Sequence, residues 1–116
     1  MAKLKFIKKL AVFTGGSSLE LTVTKQLGPV ATSADVASTG TDDAHFSDKK
    51  LTPGPAMKPL NPANSYSILW QGAFVKDGSA TLTVRVLDAT GKVLTTKVVS
   101  VAGQAGDVFF RIILVP

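Results

Sequence analysis

The sequence predicts an all-β domain, an antiparallel β-sandwich, and three observations carry that expectation. Apolar and polar residues alternate with period two through residues 19–24 and 81–86, and Tyr66, Ile68 and Trp70 recur at the same period, the pattern of strands with one buried face. Glycine-bearing turn signals separate such stretches, at Gly15-Gly16, Asp77-Gly78 and Asp88-Ala89-Thr90-Gly91. Hydrophobic residues make up 45% of the 116-residue chain and charged residues 18%. That suffices to fill one core and is unlike a disordered tail or a coiled coil. A chain of this length holds a single domain, residues 1–116, because two independent cores would each be too small.

Taken in order, Leu4, Phe6, Leu10 and Val12 share a strand face that Lys8 interrupts, with Lys3, Lys5 and Lys9 opposite. A helix would instead group Phe6, Leu10 and Phe13 as a basic amphipathic surface able to lie on a membrane. The strand is preferred, because Gly15-Gly16 then joins two alternating segments as a hairpin. In the next strand Leu19, Leu21 and Val23 point inward and Glu20, Thr22 and Thr24 outward. Residues 28–64 differ in kind. They carry Pro29, Pro53, Pro55, Pro59 and Pro62 among many Ser, Thr, Ala and Asp, and proline has no backbone donor to give a central strand. Short strands are expected at 30–33 and 36–38, and the remainder as a long surface loop. Such a loop must be held by its own sandwich or by a neighbouring molecule.

The second half reads more plainly. Tyr66, Ile68, Trp70 and Phe74 lie on one face of a strand over residues 65–76, and Asp77-Gly78 marks a hairpin turn. Leu82, Val84 and Val86 then alternate with Thr81, Thr83 and Arg85. After the turn at 88–91, residues 93–101 form a Val- and Thr-rich strand. Residues 108–115, apolar on both faces except at Arg111, form a central one. The expected core is Leu21, Val23, Ile68, Trp70, Leu82, Val84, Val86, Phe110, Ile112 and Leu114.

The net charge of +5 is uneven. Lys3, Lys5, Lys8, Lys9 and Lys25 against Glu20 leave residues 1–25 at +4, whereas residues 26–60 stand at −1 and residues 61–116 at +2. Residues 1–9 are therefore a basic arm or a lysine-edged strand, able to attract an acidic partner at long range. No apolar run approaches the roughly 20 residues of a membrane-spanning helix. The short apolar stretch at residues 10–13 does not make a secretory signal, so the chain is expected to act without export.

Little in the sequence could do chemistry. The absence of cysteine excludes a disulfide scaffold, a thiolate zinc site and a cysteine nucleophile. The segment Asp42-Asp43-Ala44-His45-Phe46-Ser47-Asp48 gathers three carboxylates and the chain's one histidine. It lacks the alternate ligands, central glycine and terminal glutamate of a calcium loop, and is read as a polar surface loop. His45 has no partner that spacing identifies for a nucleophilic triad. Gly15-Gly16-Ser17-Ser18 lacks the lysine and helix that a phosphate loop needs. Phe6 and Phe13 are read as core, which leaves no stacking platform beside the lysines, so nucleic acid is not an expected partner. No enzyme activity, cofactor or metal is expected.

Residues 64–101 also carry a resemblance. Asn64-Ser65-Tyr66-Ser67-Ile68-Leu69-Trp70 leads to a glycine turn, then Ala80-Thr81-Leu82-Thr83-Val84-Arg85-Val86, then Asp88-Ala89-Thr90-Gly91-Lys92. The series resembles part of a carbohydrate-binding jelly roll, which implies a jelly-roll sandwich and, as one function, sugar binding. Tyr66 and Trp70 alternate with core residues, however, and are read as buried rather than as stacking faces. In architecture a small cysteine-free sandwich also resembles the decoration, or cement, proteins of tailed-phage heads. That resemblance implies a non-enzymatic virion protein, assembled in the host cytoplasm, that binds the major capsid protein or another large assembly and self-associates. The expected contacts are Lys3, Lys5, Lys8 and Lys9 of the arm, with Lys49, Lys50, Pro53, Pro55, Lys58, Pro59 and Pro62 of the Pro-rich loop. Self-association is expected at the edge of the N-terminal strand.

Overall fold

The computed structural model describes the backbone of residues 5–12, 15–28 and 30–115, and the side chains of residues 15–28, 30–72 and 78–101. The elements in chain order are β1 (Lys5–Val12), β2 (Ser18–Leu27), β3 (Val30–Ser38), β4 (Ala44–Phe46), α1 (Asp48–Leu51), β5 (Ala56–Pro59), β6 (Tyr66–Leu87) and β7 (Val93–Val115). The chain is all-β and largely antiparallel, with one short helical turn.

Two strands of unusual length organise everything else. β6 has 22 residues and β7 has 23, and they pair antiparallel. The turn between them is built by Asp88, whose Oδ1 accepts the Thr90 and Lys92 N–H groups at 2.9 Å and the Thr90 hydroxyl at 2.6 Å. The Thr90 hydroxyl, with the Lys92 N–H, holds the Asp88 carboxyl below its usual range. On the other side of β6, β2 covers the half from Ser79 to Leu87 and β3 the half from Tyr66 to Phe74. β2 and β3 thus run nearly end to end along β6, β2 closing at Leu27 and β3 opening at Val30.

Straight strands of this length would span about 70 Å, but the longest dimension of the molecule is 41 Å. The three ribbons must therefore fold over, and each is irregular at the same level. The β6–β7 register shifts between Phe74 and Gly78, the β2–β6 register shifts between Lys25 and Leu27, and Gly28 follows with φ +70°. Two layers result. One is ordered β5-β2-β6-β7 and uses the turn-proximal halves of the long strands; the other uses their distal halves with β4, β3 and β1. Leu19, Leu21, Val23, Leu82, Val84, Val86 and Val99 of the first layer share one core with Ala34, Val36, Phe46, Tyr66, Ile68 and Trp70 of the second.

Four expectations are corrected. Asp77-Gly78 does not turn: β6 runs through it, with Gly78 opposite Gln104, so the glycine serves the fold-over and not a hairpin. The segments 93–101 and 108–115, read as separate strands, are one strand, β7. Gly15-Gly16 does not close a hairpin either. β1 is a strand, as preferred, but it pairs parallel with the end of β7, from Lys5 opposite Val108 to Val12 opposite Val115. Finally, residues 28–64 are not mainly loop, since β3 is a nine-residue strand paired along β6. Its Val30, Thr32, Ala34 and Val36 are buried and alternate with more exposed residues, a strand pattern hidden by small side chains. Of the expected core, Leu21, Val23, Ile68, Trp70, Leu82, Val84 and Val86 are buried. Phe110, Ile112 and Leu114 lie outside the described side chains, as does Phe74. Among the described residues no helix is long and apolar enough to cross a membrane.

Candidate attachment surface

The Pro-rich segment is tied to its own sandwich at every few residues. α1 buries Leu51, and Asp48 in its first turn accepts the Thr32 N–H at 2.9 Å and the Lys25 ammonium at 2.8 Å. Partial burial raises the Asp48 pKa, but these bonds outweigh it and hold the carboxyl below its usual range. One aspartate thus clamps the helical turn to β2 and β3 together. Just beyond, the Thr52 hydroxyl donates to the Val23 carbonyl at 2.7 Å. Gly54 has φ +69°, and a Cβ there would lie 2.8 Å from the Leu51 carbonyl oxygen, so only glycine lets the chain pass this close. β5 then pairs with β2, from Ser18 opposite Pro59 to Leu21 opposite Ala56. The Leu60 N–H closes the run on the Ser17 carbonyl at 2.9 Å.

A second anchor centres on Asp42. Its carboxylate accepts short hydrogen bonds from the Ser38 and Tyr66 hydroxyls, the Asn64 amide at 3.0 Å, and the Lys58 ammonium at 3.4 Å. The Ser38 hydroxyl first, then that of Tyr66, holds the Asp42 carboxyl far below the usual carboxylate range. Burial, and then the bond to Asp42, pushes the Tyr66 phenol up. Tyr66 in turn accepts the Asn61 N–H at 2.8 Å. Lys58 is buried, with Nζ 5.5 Å from the Tyr66 ring centroid. It was expected among the partner contacts, but its ammonium is committed inside the fold. A surface cavity of about 340 Å³ adjoins this network, lined by Asp42, Asp43, Lys58, Pro59, Leu60 and Asn61. Asp42 and Lys58 bond to each other, and Asp43 accepts the Ser38 N–H.

The acidic segment that concentrated attention in the sequence is dispersed by the fold. Asp42 and Asp43 hold the loop after β3, Asp48 clamps α1, and His45 bonds through Nδ1 to Asp35 on the exposed β3–β4 edge. No group of three His, Cys, Asp or Glu residues capable of holding a metal ion occurs among the described residues. Sequence reasoning missed Asp35 as the partner of His45, and missed Thr32 and Lys25 as those of Asp48. In the first case the only signal is strand register, which sets Asp35 opposite His45.

Six of the seven expected contacts from the Pro-rich segment remain outward. Lys49 and Lys50 are exposed at the end of α1, and Pro53, Pro55, Pro59 and Pro62 are exposed beyond it. The expected contacts Lys3, Lys5, Lys8 and Lys9 lie outside the described side chains. The two aromatic candidates for sugar stacking, Tyr66 and Trp70, are each 1% exposed and offer no face to a ligand. Compared with known protein families, curated proteins and solved structures, the chain has no match to any of them.

Proposed function

We propose that this chain is a non-enzymatic attachment module, of the kind that decorates a virus head, and that the ridge from Lys49 to Pro62 is its docking surface. The observation that carries the reading is a contrast within one segment. Asp48, Leu51, Thr52, Gly54 and Ala56 fix the backbone to the sandwich, while Lys49, Lys50, Pro53, Pro55, Pro59 and Pro62 stay in solvent. Ordering a free chain costs roughly 1–2 kcal/mol per residue. A ridge already ordered in the unbound protein is spared most of that cost on docking. Its exposed charges are both positive, which suits an acidic shell, and repeated copies on a lattice would add avidity. The jelly-roll subtype belongs to the same proposal. Two largely antiparallel layers around one core support it, although here the long strands β6 and β7 pass through both layers and β1 pairs parallel. Sugar binding is the weaker reading, because the aromatics it would need are buried.

The test is co-sedimentation of the purified chain with undecorated capsid shells over a salt series. The double variant Lys49→Glu/Lys50→Glu is expected to lose attachment about tenfold or more, and with it most of the salt dependence, while its circular dichroism stays unchanged. Attachment that is unaltered in the variant, or absent in the parent chain, overturns the proposal.

A further inference from the structure

The outer face of the layer β5-β2-β6-β7 has a composition that solvent alone does not require. Register fixes its rows: Met57, Glu20, Arg85 and Thr96 lie side by side, then Thr22, Thr83 and Val98, then Thr24, Thr81 and Ser100. The other charged residues of these strand segments, Lys25, Lys58 and Lys97, have the opposite parity. On a chain of net charge +5, this face carries one positive and one negative group amid hydroxyls and apolar side chains. Met57 and Val98 are each 50% exposed on it. Interface centres are depleted of charge in just this way, whereas solvated sheet faces have no reason to be.

We infer that this face is the interface of a symmetric dimer, its occupant being a second copy of the chain. Charge complementarity selects the occupant and the geometry. Glu20 and Arg85 are directly opposite on adjacent strands. A two-fold axis lying in the interface, parallel to the strands and between β2 and β6, sets Glu20 of each copy over Arg85 of the other. An axis across the strands would set like charges together and is disfavoured. Two sheets stacked this way keep their strands nearly aligned at about 10 Å. The ten side chains of these three rows, at about 4.8 Å across and about 6.8 Å along the strands, cover on the order of 330 Å² per copy, or about 650 Å² in total, the size of a weak, concentration-dependent interface. The inference goes beyond the attachment reading and does not depend on it.

Sedimentation velocity of the full chain between about 1 µM and about 1 mM tests it. A concentration-dependent dimer is expected. Thr83→Lys, at the centre of the face, should weaken it about tenfold or more with an unchanged melting temperature. Glu20→Arg and Arg85→Glu should each weaken it to a similar degree, and the two exchanges together should restore it. A monomer throughout the range overturns the inference, as does a dimer indifferent to all three single variants.

Discussion

Trp70→Ala is expected to destabilise the domain by about 3–5 kcal/mol, enough to unfold most of a marginally stable small protein. Trp70 is 1% exposed and belongs to the single cluster shared by both layers. Truncation therefore removes both the largest buried side chain among the described residues and its contacts within the shared core. Urea unfolding followed by circular dichroism measures the loss. The same variant separates the two binding readings. A sugar-stacking tryptophan would be replaced with little change in stability and complete loss of glycan binding. The buried Trp70 predicts the reverse.

Asp42→Asn is expected to give the second large effect, with a particular dependence on pH. In the parent chain the carboxylate accepts from Ser38, Tyr66, Asn64 and Lys58. An asparagine offers one acceptor oxygen in place of two and leaves the buried Lys58 ammonium without its counter-charge. The Asp42 pKa is lower in the folded state than in the unfolded chain. Its contribution is therefore fully present above the unfolded value, near 4, and is lost as pH falls below it toward the folded value. The urea midpoint of the variant should lie well below that of the parent at pH 7, and the two should converge as the solution is acidified below about pH 4. Asp48 and Asp88 are also held low, so part of the acid sensitivity should survive in the variant. A gap that persists unchanged at low pH would exclude the ionised carboxylate as its source.

The legible parts of this fold are those where side-chain size makes the period visible. Leu19, Leu21 and Val23, like Leu82, Val84 and Val86, mark buried faces that hold in the structure. β3 was harder to see because Thr32 and Ala34 fill buried positions that large apolar residues would have announced. The glycine signal at 88–91 marks the true β6–β7 turn, but those at Gly15-Gly16 and Asp77-Gly78 misled for a different reason. A glycine permits sharp curvature whether the chain reverses or an existing strand bends, and sequence alone does not distinguish them. At Asp77-Gly78 the chain bends, so β6 belongs to both layers. Parallel pairing of β1 with β7 spans nearly the whole chain and leaves no local trace. The ridge was visible as prolines and lysines, but its anchors were not. The bonds of Asp48 to Thr32, of Thr52 to Val23 and of Lys58 to Asp42 are tertiary. They decide which of the ridge residues remain exposed, and only Lys58 of the seven named from this segment is withdrawn.

Lysine-reactive footprinting of the chain, free and bound to capsid shells, tests the proposed docking surface most directly. Lys49 and Lys50 are expected to react readily in the free chain and to be protected in the bound one. Lys58, buried against Asp42 and Tyr66, should react poorly in both states and serves as an internal control for the fold. Lys92, exposed in the turn between β6 and β7, should react equally in both. Equal labelling of Lys49 and Lys50 in the free and bound chain, with protection elsewhere, would contradict the assignment of the ridge as the attachment surface.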